Sequence, residues 1–259
     1  MTTFELEKYL PIGARARSRP FILGELFIIS ILVFVYDHIR DLADAHRAAS
    51  IASARWIMQA EQQLHIDVEL PSNLWLSAHH ELAELSSWYY QVAHLTVTLL
   101  VLAYCYWRRP DTYRSARNAL VSINAIGLVI FWLVPVAPPR LLPGYGFIDT
   151  TIMSGVANAA GSAANPYAAM PSLHLAWAAW TAVVAWRMFP GIWARVAWAA
   201  YPVLTTLVVV GTGNHYLLDV FAGVAVAVVA ALLTGLIGPR LRDSERSPQG
   251  FQFDVTGAR

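Results

Sequence analysis

The chain has 259 residues, 57% hydrophobic and 14% charged, with a formal net charge of +1 and a mean hydropathy of +0.47. A soluble domain carries roughly 25% charged residues, so neither a water-covered globule nor a disordered chain fits, and a polytopic membrane protein remains. The near-neutral balance and the lack of a basic patch interleaved with aromatics exclude a nucleic-acid binder. The single cysteine, Cys105, excludes an intramolecular disulfide framework and any CxxC site.

In chain order, residues 1–20 read as a cytoplasmic N-terminal segment. The first apolar run, Phe21 to Tyr36, is short against the ~20 residues that cross a bilayer core and contains Glu25. The long polar stretch before it and Asp37-His38-Ile39-Arg40 after it favour an uncleaved span over a signal peptide. Residues 41–84 read as an outer amphipathic segment of one or two interfacial helices, with Ile51, Ala54, Ile57, Met58 and Leu64 spaced for one face. Pro71-Ser72-Asn73 marks a turn and a fresh helix start. Further spans follow at Ser87–Trp107 and Ala119–Val136, then an outer loop over 137–170 rich in Gly, Pro, Ala and Asn. The last three are Leu173–Phe189, Trp193–Val210 and Leu217–Gly238, with Gly211-Thr212-Gly213-Asn214 as the turn between the final two. The expected fold is all-α, a six-transmembrane-helix bundle over 21–238, followed by a disordered cytoplasmic tail over 239–259.

The basic residues orient this layout. With a cytoplasmic N-terminus, 14 of the 18 fall on inner segments and 4 (Arg40, Arg47, Arg55 and Arg140) on outer ones. That is the positive-inside bias expected for an even number of spans with both termini in the cytoplasm. The chain is expected in the plasma membrane.

Ionisable groups against hydrocarbon mark candidate sites, and the unusual ones here share the outer side. His174 opens the fourth span in Pro171-Ser172-Leu173-His174, His215 and Asp219 open the sixth, and Arg140 follows the third in Pro138-Pro139-Arg140. Placed i and i+4, His215 and Asp219 share a helical face, so the carboxylate can fix the imidazole tautomer and leave the other nitrogen nucleophilic. Pro171 suits a first helical turn, and the amides around Ser172 and Leu173 then offer an anion site at the positive end of the helix dipole. His174 can protonate a departing oxygen, and Arg140 can clamp phosphate oxygens. Together these residues describe phosphoryl transfer through a phosphohistidine. The aromatic residues mostly read as interfacial belts; Tyr145, Asn165 and Tyr167 in the outer loop are possible head-group contacts.

The two histidine motifs, Pro171-Ser172-Leu173-His174 and His215-Tyr216-Leu217-Leu218-Asp219, resemble the second and third motifs of the type 2 phosphatidic acid phosphatase superfamily. The Leu before His174 is similar to its inositol phosphorylceramide synthase-like branch. The resemblance spans roughly residues 85–238 and implies a six-helix membrane enzyme in which His215 attacks phosphorus and Asp219 orients it. It also implies that His174 protonates the leaving group and that Ser172 helps bind phosphate. The superfamily's first motif, Lys, six residues, then Arg-Pro, has no counterpart, since the lone Lys8 precedes Arg15-Ala16 on the inner side. Val209 stands where the third motif carries Arg. Arg140 is the stand-in for phosphate binding, with Asn214 beside it.

Other chemistries fit less well. Asp41-Leu42-Ala43-Asp44 lacks the Gly and the second Asp pair of CDP-alcohol phosphotransferases. A metal held by His174, His215 and Asp219 is chemically adequate, but Asp219 at i+4 suits orientation better. Ser172 lacks the Gly-x-Ser-x-Gly elbow of a serine hydrolase. The expectation is therefore a lipid phosphatase or phosphotransferase needing neither metal nor cofactor. Its expected substrate is a lipid phosphate, prenyl phosphate or phospholipid among membrane lipids, met at the outer face. Transfer of a phospho-head group such as inositol phosphate to a lipid hydroxyl, and a non-enzymatic lipid carrier, are the alternatives.

Overall fold

The computed structural model describes residues 20–41, 46–153, 155 and 166–237. The expected cytoplasmic segments, apart from Pro20, and Asn165 lie outside the described residues.

Apolar length sets most of the helices. Helix α1 spans Ile22–Asp41 and runs past the expected boundary at Tyr36. Helix α2, Arg47–Leu64, ends at His65, whose left-handed backbone (φ 56°) lets His65 N–H and Ile66 N–H turn back onto the Gln62 and Glu61 carbonyls. Helix α3 covers Glu69–Ser77, so Pro71-Ser72-Asn73 falls in its first turns rather than before it. Helix α4, His80–Trp88, passes through a π-helical turn at Tyr89–Ala93 directly into α5, His94–Arg108. The second expected span is therefore the later part of one long rod that begins in the outer segment. Helix α6, Pro110–Leu133, starts well before the expected Ala119, with Pro110 in its first turn. A 3-10 turn at Pro139–Leu141 and the short α7, Thr150–Met153, follow in the outer loop. Helices α8 (Leu173–Met188), α9 (Ile192–Gly211) and α10 (Leu217–Leu233) complete the fold. Among the described residues there is no strand, only an isolated parallel bridge between Val136 and Ala168. Among the described residues two helices, α6 and α9, are long and apolar enough to cross a membrane.

The main core joins α5, α6, α8 and α10 through Cys105, Ala116, Ala119, Ile123, Trp180, Val184, Ala227 and Ala230. Small residues let the helix backbones approach closely, and the one large indole satisfies its N–H on the Ala116 carbonyl at 2.8 Å. Glu25, which made the first run look unlike a span, docks α1 on α6: it pairs with Arg117 at 3.1 Å and accepts from Tyr113 Oη at 3.1 Å.

A second cluster sits at the other end, where α2 meets the outer loop: Ala54, Ile57, Met58, Val136, Ala137, Tyr167, Ala169 and Tyr216. The expected apolar face of α2 holds for Ala54, Ile57 and Met58 and fails at Leu64, which is 61% exposed. Its buried stripe runs Ser50, Ala54, Ile57, Met58 and then Glu61, so a carboxyl takes the next inward position.

Candidate active site

The starts of α8 and α10 are fastened to each other by backbone. Ser172 N–H donates to the Asp219 carbonyl at 3.0 Å. A Cβ on Gly223 would come within 2.3 Å of the Ser172 carbonyl oxygen, so only glycine permits this approach. Ser172 is the N-cap of α8, and its Oγ accepts from Leu175 N–H at 3.4 Å. Pro171, joined to Met170 by a cis peptide, precedes that cap instead of opening the helix. The expected anion site is thereby corrected: the Ser172 amide is already donating and its hydroxyl is capping, because this helix start is buried against α10.

This junction brings the histidines together. His215 lies just before α10 and is 3% exposed. Its backbone is held by the Val209 carbonyl, which accepts from Asn214 N–H at 3.0 Å and His215 N–H at 3.1 Å. Val209, where the superfamily motif carries Arg, packs with Leu175, Val210 and Val220 in an apolar cluster. His215 Nδ1 meets the Ala169 carbonyl at 2.8 Å. A carbonyl only accepts, so Nδ1 carries the proton and Nε2 keeps its lone pair. Nε2 faces His174 Nδ1 at 3.3 Å, which makes His174 Nδ1 the donor. Asp219 Oδ2 is 3.5 Å from His215 Nδ1 and accepts from Tyr216 N–H at 2.9 Å. The expectation that Asp219 takes the imidazole proton is thus modified: Ala169 takes it, and the Asp219 carboxyl lies alongside while holding the first turn of α10.

A third histidine completes the cluster. His94 lies 4.1 Å from His174, ring centre to ring centre, and the Tyr90 ring stacks on the other histidine at 4.2 Å and 20°. His94 Nδ1 donates to the Tyr90 carbonyl at 3.0 Å. Both residues belong to the π turn or its edge, and a π turn adds one residue per helical turn and resets which side chains face inward. Sequence reasoning missed His94, although an imidazole inside an apolar run was itself a signal.

Arg140 reaches the residue before the nucleophile candidate. Its Nε donates to Asn214 Oδ1 at 2.8 Å, its Nη1 pairs with Asp149 Oδ2 at 2.7 Å, and its backbone N–H donates to the Gly213 carbonyl at 2.9 Å. Gly213 has φ +68°, and a Cβ there would stand 3.3 Å from Arg140 Cβ. Asn214 is buried and spends its own Nδ2 on Thr212 Oγ1, so its amide steadies Arg140. Asp149 also accepts from the Thr151 hydroxyl and from the Thr151 and Ile152 amides. Burial opposes its charge, but Arg140 and these donors hold its carboxyl below the usual range. Tyr145 and Tyr167 pack in or against the outer apolar cluster.

Two further carboxyls, both unforeseen, reach α10 from the outer segment. Glu69 Oε1 accepts from Leu217 N–H at 2.8 Å and Glu61 Oε1 from Leu218 N–H at 2.7 Å. Both side chains are fully buried. Burial, with the Glu69 and Asp219 carboxyls nearby, pushes the Glu61 carboxyl well above the usual range, and burial likewise raises Glu69.

A family model described as the PAP2 superfamily matches residues 55–233, well over half of the chain. The chain belongs to the PAP2 superfamily. The match begins inside α2, earlier than the two histidine motifs alone indicate, and takes in α3, both Glu residues, Arg140 and the three histidines. No curated protein and no solved structure gives a significant match. PAP2 superfamily members are in general phosphoesterases and phosphotransferases, so membership indicates phosphatase-type chemistry on phosphoesters.

Proposed function

We propose that this PAP2 superfamily protein is a membrane enzyme that cleaves a phosphoester of an amphiphile at the outer face through a phosphohistidine at His215. The observation that carries this reading is that His215 Nε2 keeps its lone pair, because Nδ1 bonds to Ala169, and that His174 stands 3.3 Å from it. His215 Nε2 attacks phosphorus and the bond to the leaving oxygen breaks. His174, entering as the imidazolium, hands its proton to that oxygen. In the second half a water, or an alcohol, forms the new O–P bond as the N–P bond breaks, and its proton passes to His174. Arg140, presented by Asn214 and Asp149, and the developing charge on phosphate attract each other. Asp219 stabilises positive charge on the His215 ring. In this proposal His174 is the acid, His215 the nucleophile and Arg140 the anion partner, and the route uses no metal.

The proposed topology has six spans, both ends in the cytoplasm and the site on the extracytoplasmic side of the plasma membrane, a reading supported by the distribution of Arg residues. An amphiphilic substrate is supported by the apolar character of the chain around the site. Leu173 before His174 favours head-group transfer to a lipid hydroxyl over simple hydrolysis.

The test is turnover of purified protein on lipid phosphates, prenyl phosphates and phosphoinositides, with EDTA, with and without alcohol acceptors. Wild type is expected to turn over under EDTA, and His215→Ala and His174→Ala to lose ~10³-fold or more in kcat. Full turnover by either variant overturns the mechanism. Activity lost to EDTA would assign the histidines to a metal instead, and lipid binding without turnover on any substrate would favour a carrier.

A further inference from the structure

Glu61 and Glu69 come from different helices, lie fully buried, and converge on one place, the first turn of α10. Each spends Oε1 on a backbone amide. Because those amides are consecutive, the two carboxyls lie side by side, yet Oε2 of each has no donor among the described residues. Two ionised carboxylates accept and cannot donate, so both oxygens would be orphaned at high cost. Among the described residues no cation pairs with either carboxyl. From α10 the groups facing the pair are Asp219 and the Tyr216 phenol. The outer end of α9, packed on α3 through Gly211 and Leu76, carries only Val, Gly and Thr. The outer loop, bonded to α3 through Asn73 and Ile148, carries Arg140, which is engaged by Asp149 and Asn214. A single proton resolves the arrangement, because it turns one Oε2 into a donor to the other.

We propose that Glu61 and Glu69 are positioning residues for His215 and Asp219, sharing one proton between their buried carboxyls while their other oxygens hold α10 by its Leu217 and Leu218 amides. This rests on His215 being the nucleophile. The helix start they grip lies between His215 and Asp219 in sequence, so a loosened first turn moves both side chains relative to His174. A shift on the order of 1 Å at such a site is enough to cost about 100-fold in rate. One negative charge instead of two beside Asp219 also limits repulsion among three buried carboxyls.

The experiment compares Glu61→Gln, Glu69→Gln, Glu61→Ala and Glu69→Ala with wild type, and runs His215→Ala in parallel. Glutamine reproduces the protonated partner: its carbonyl accepts the amide of α10 and its NH2 donates to the remaining carboxylate. Each Gln variant is expected to keep kcat within about 3-fold, and each Ala variant to lose roughly 10- to 100-fold in kcat with KM changed less than about 3-fold. Infrared difference spectra in H2O and D2O are expected to show the carbonyl stretch of a protonated carboxyl in wild type and in Asp219→Asn, and to lose it in Glu61→Gln. Should the Ala variants not fold, the Gln variants and the infrared band decide by themselves. Absence of the band in wild type, Gln variants as damaged as Ala, or a folded Ala variant with wild-type kcat would each overturn the proposal. If His215→Ala stays active, the phosphohistidine reading fails while the infrared result still reports on the shared proton. If His215→Ala is dead and Glu61→Ala is fully active, only the positioning role fails.

Discussion

Two parts of this molecule bury carboxyl groups, and they satisfy them by opposite means. Where α1 meets α6, Glu25 is matched by the Arg117 guanidinium and the Tyr113 hydroxyl, so charge and hydrogen-bonding capacity are both met by side chains. Where α2, α3 and α10 converge, Glu61, Glu69 and Asp219 share no cation and lean on the amides of Leu217, Leu218 and Tyr216. The first arrangement only needs to hold two helices together. The second sets Asp219 3.5 Å from the His215 ring and fastens the helix start that follows this histidine.

The sharpest way to break this comparison is to separate the helices at the second site. Gly223→Ala sets a methyl against the Ser172 carbonyl at 2.3 Å, and backbone cannot yield as a side-chain end can. It is expected to destabilise by about 1–3 kcal/mol and to lower kcat by roughly 100-fold, read by thermal unfolding and steady-state kinetics together. A variant with wild-type kcat would mean that the α8–α10 junction does not govern the histidine geometry.

At the first site the prediction is one-sided. Arg117→Met leaves Glu25 without its cation. Breaking a buried pair costs about 3–5 kcal/mol, and because the Arg117 side chain is 22% exposed the expected loss is smaller, about 1–2 kcal/mol. kcat should be unchanged. A drop in kcat without a drop in stability would make the inner pair functional after all.

The smallest effect is expected at Asp149, a cation-matched acid within the outer loop. Its carboxyl is held below the usual range, so its stabilising contribution is fully present above the ordinary carboxylate value and is lost as pH falls through the lowered one. Asp149→Asn should remove that acid-side loss from a stability-against-pH curve and raise KM a few-fold by releasing Arg140, with kcat little changed. A curve identical to wild type would mean that the Arg140–Asp149 pair does not contribute to folding.

Much of the site was legible because its chemistry sits where residues are out of place. His174, His215, Asp219 and Arg140 interrupt apolar or Pro-rich runs at one expected depth, and the structure brings His174, His215 and Asp219 into contact, with Arg140 held by the residue before His215. His94 carried the same signal and was passed over, since the π turn that aims it at His174 leaves no mark in the hydrophobic pattern. Glu61 continues the buried stripe of α2 after Met58, but a carboxyl at an inward position looks like the end of an amphipathic face until its amide partners are seen. The Ser172 amide was misjudged for the converse reason: a helix start is free in isolation, and here another backbone occupies it.

The sequence by itself determined that the chain is helical and apolar, where most of its helices lie, and which two histidines and which carboxylate form the motifs proposed to carry the chemistry. Those features depend on local apolar length and on residue types at fixed spacing, which a linear pattern records. Only the tertiary structure decided the tautomer of His215, the presence of His94 in the cluster, the use of Ser172 as a cap, and the convergence of Glu61 and Glu69 on α10. Each of these depends on which backbone group from a distant segment happens to face a side chain, and no periodicity in the chain encodes that.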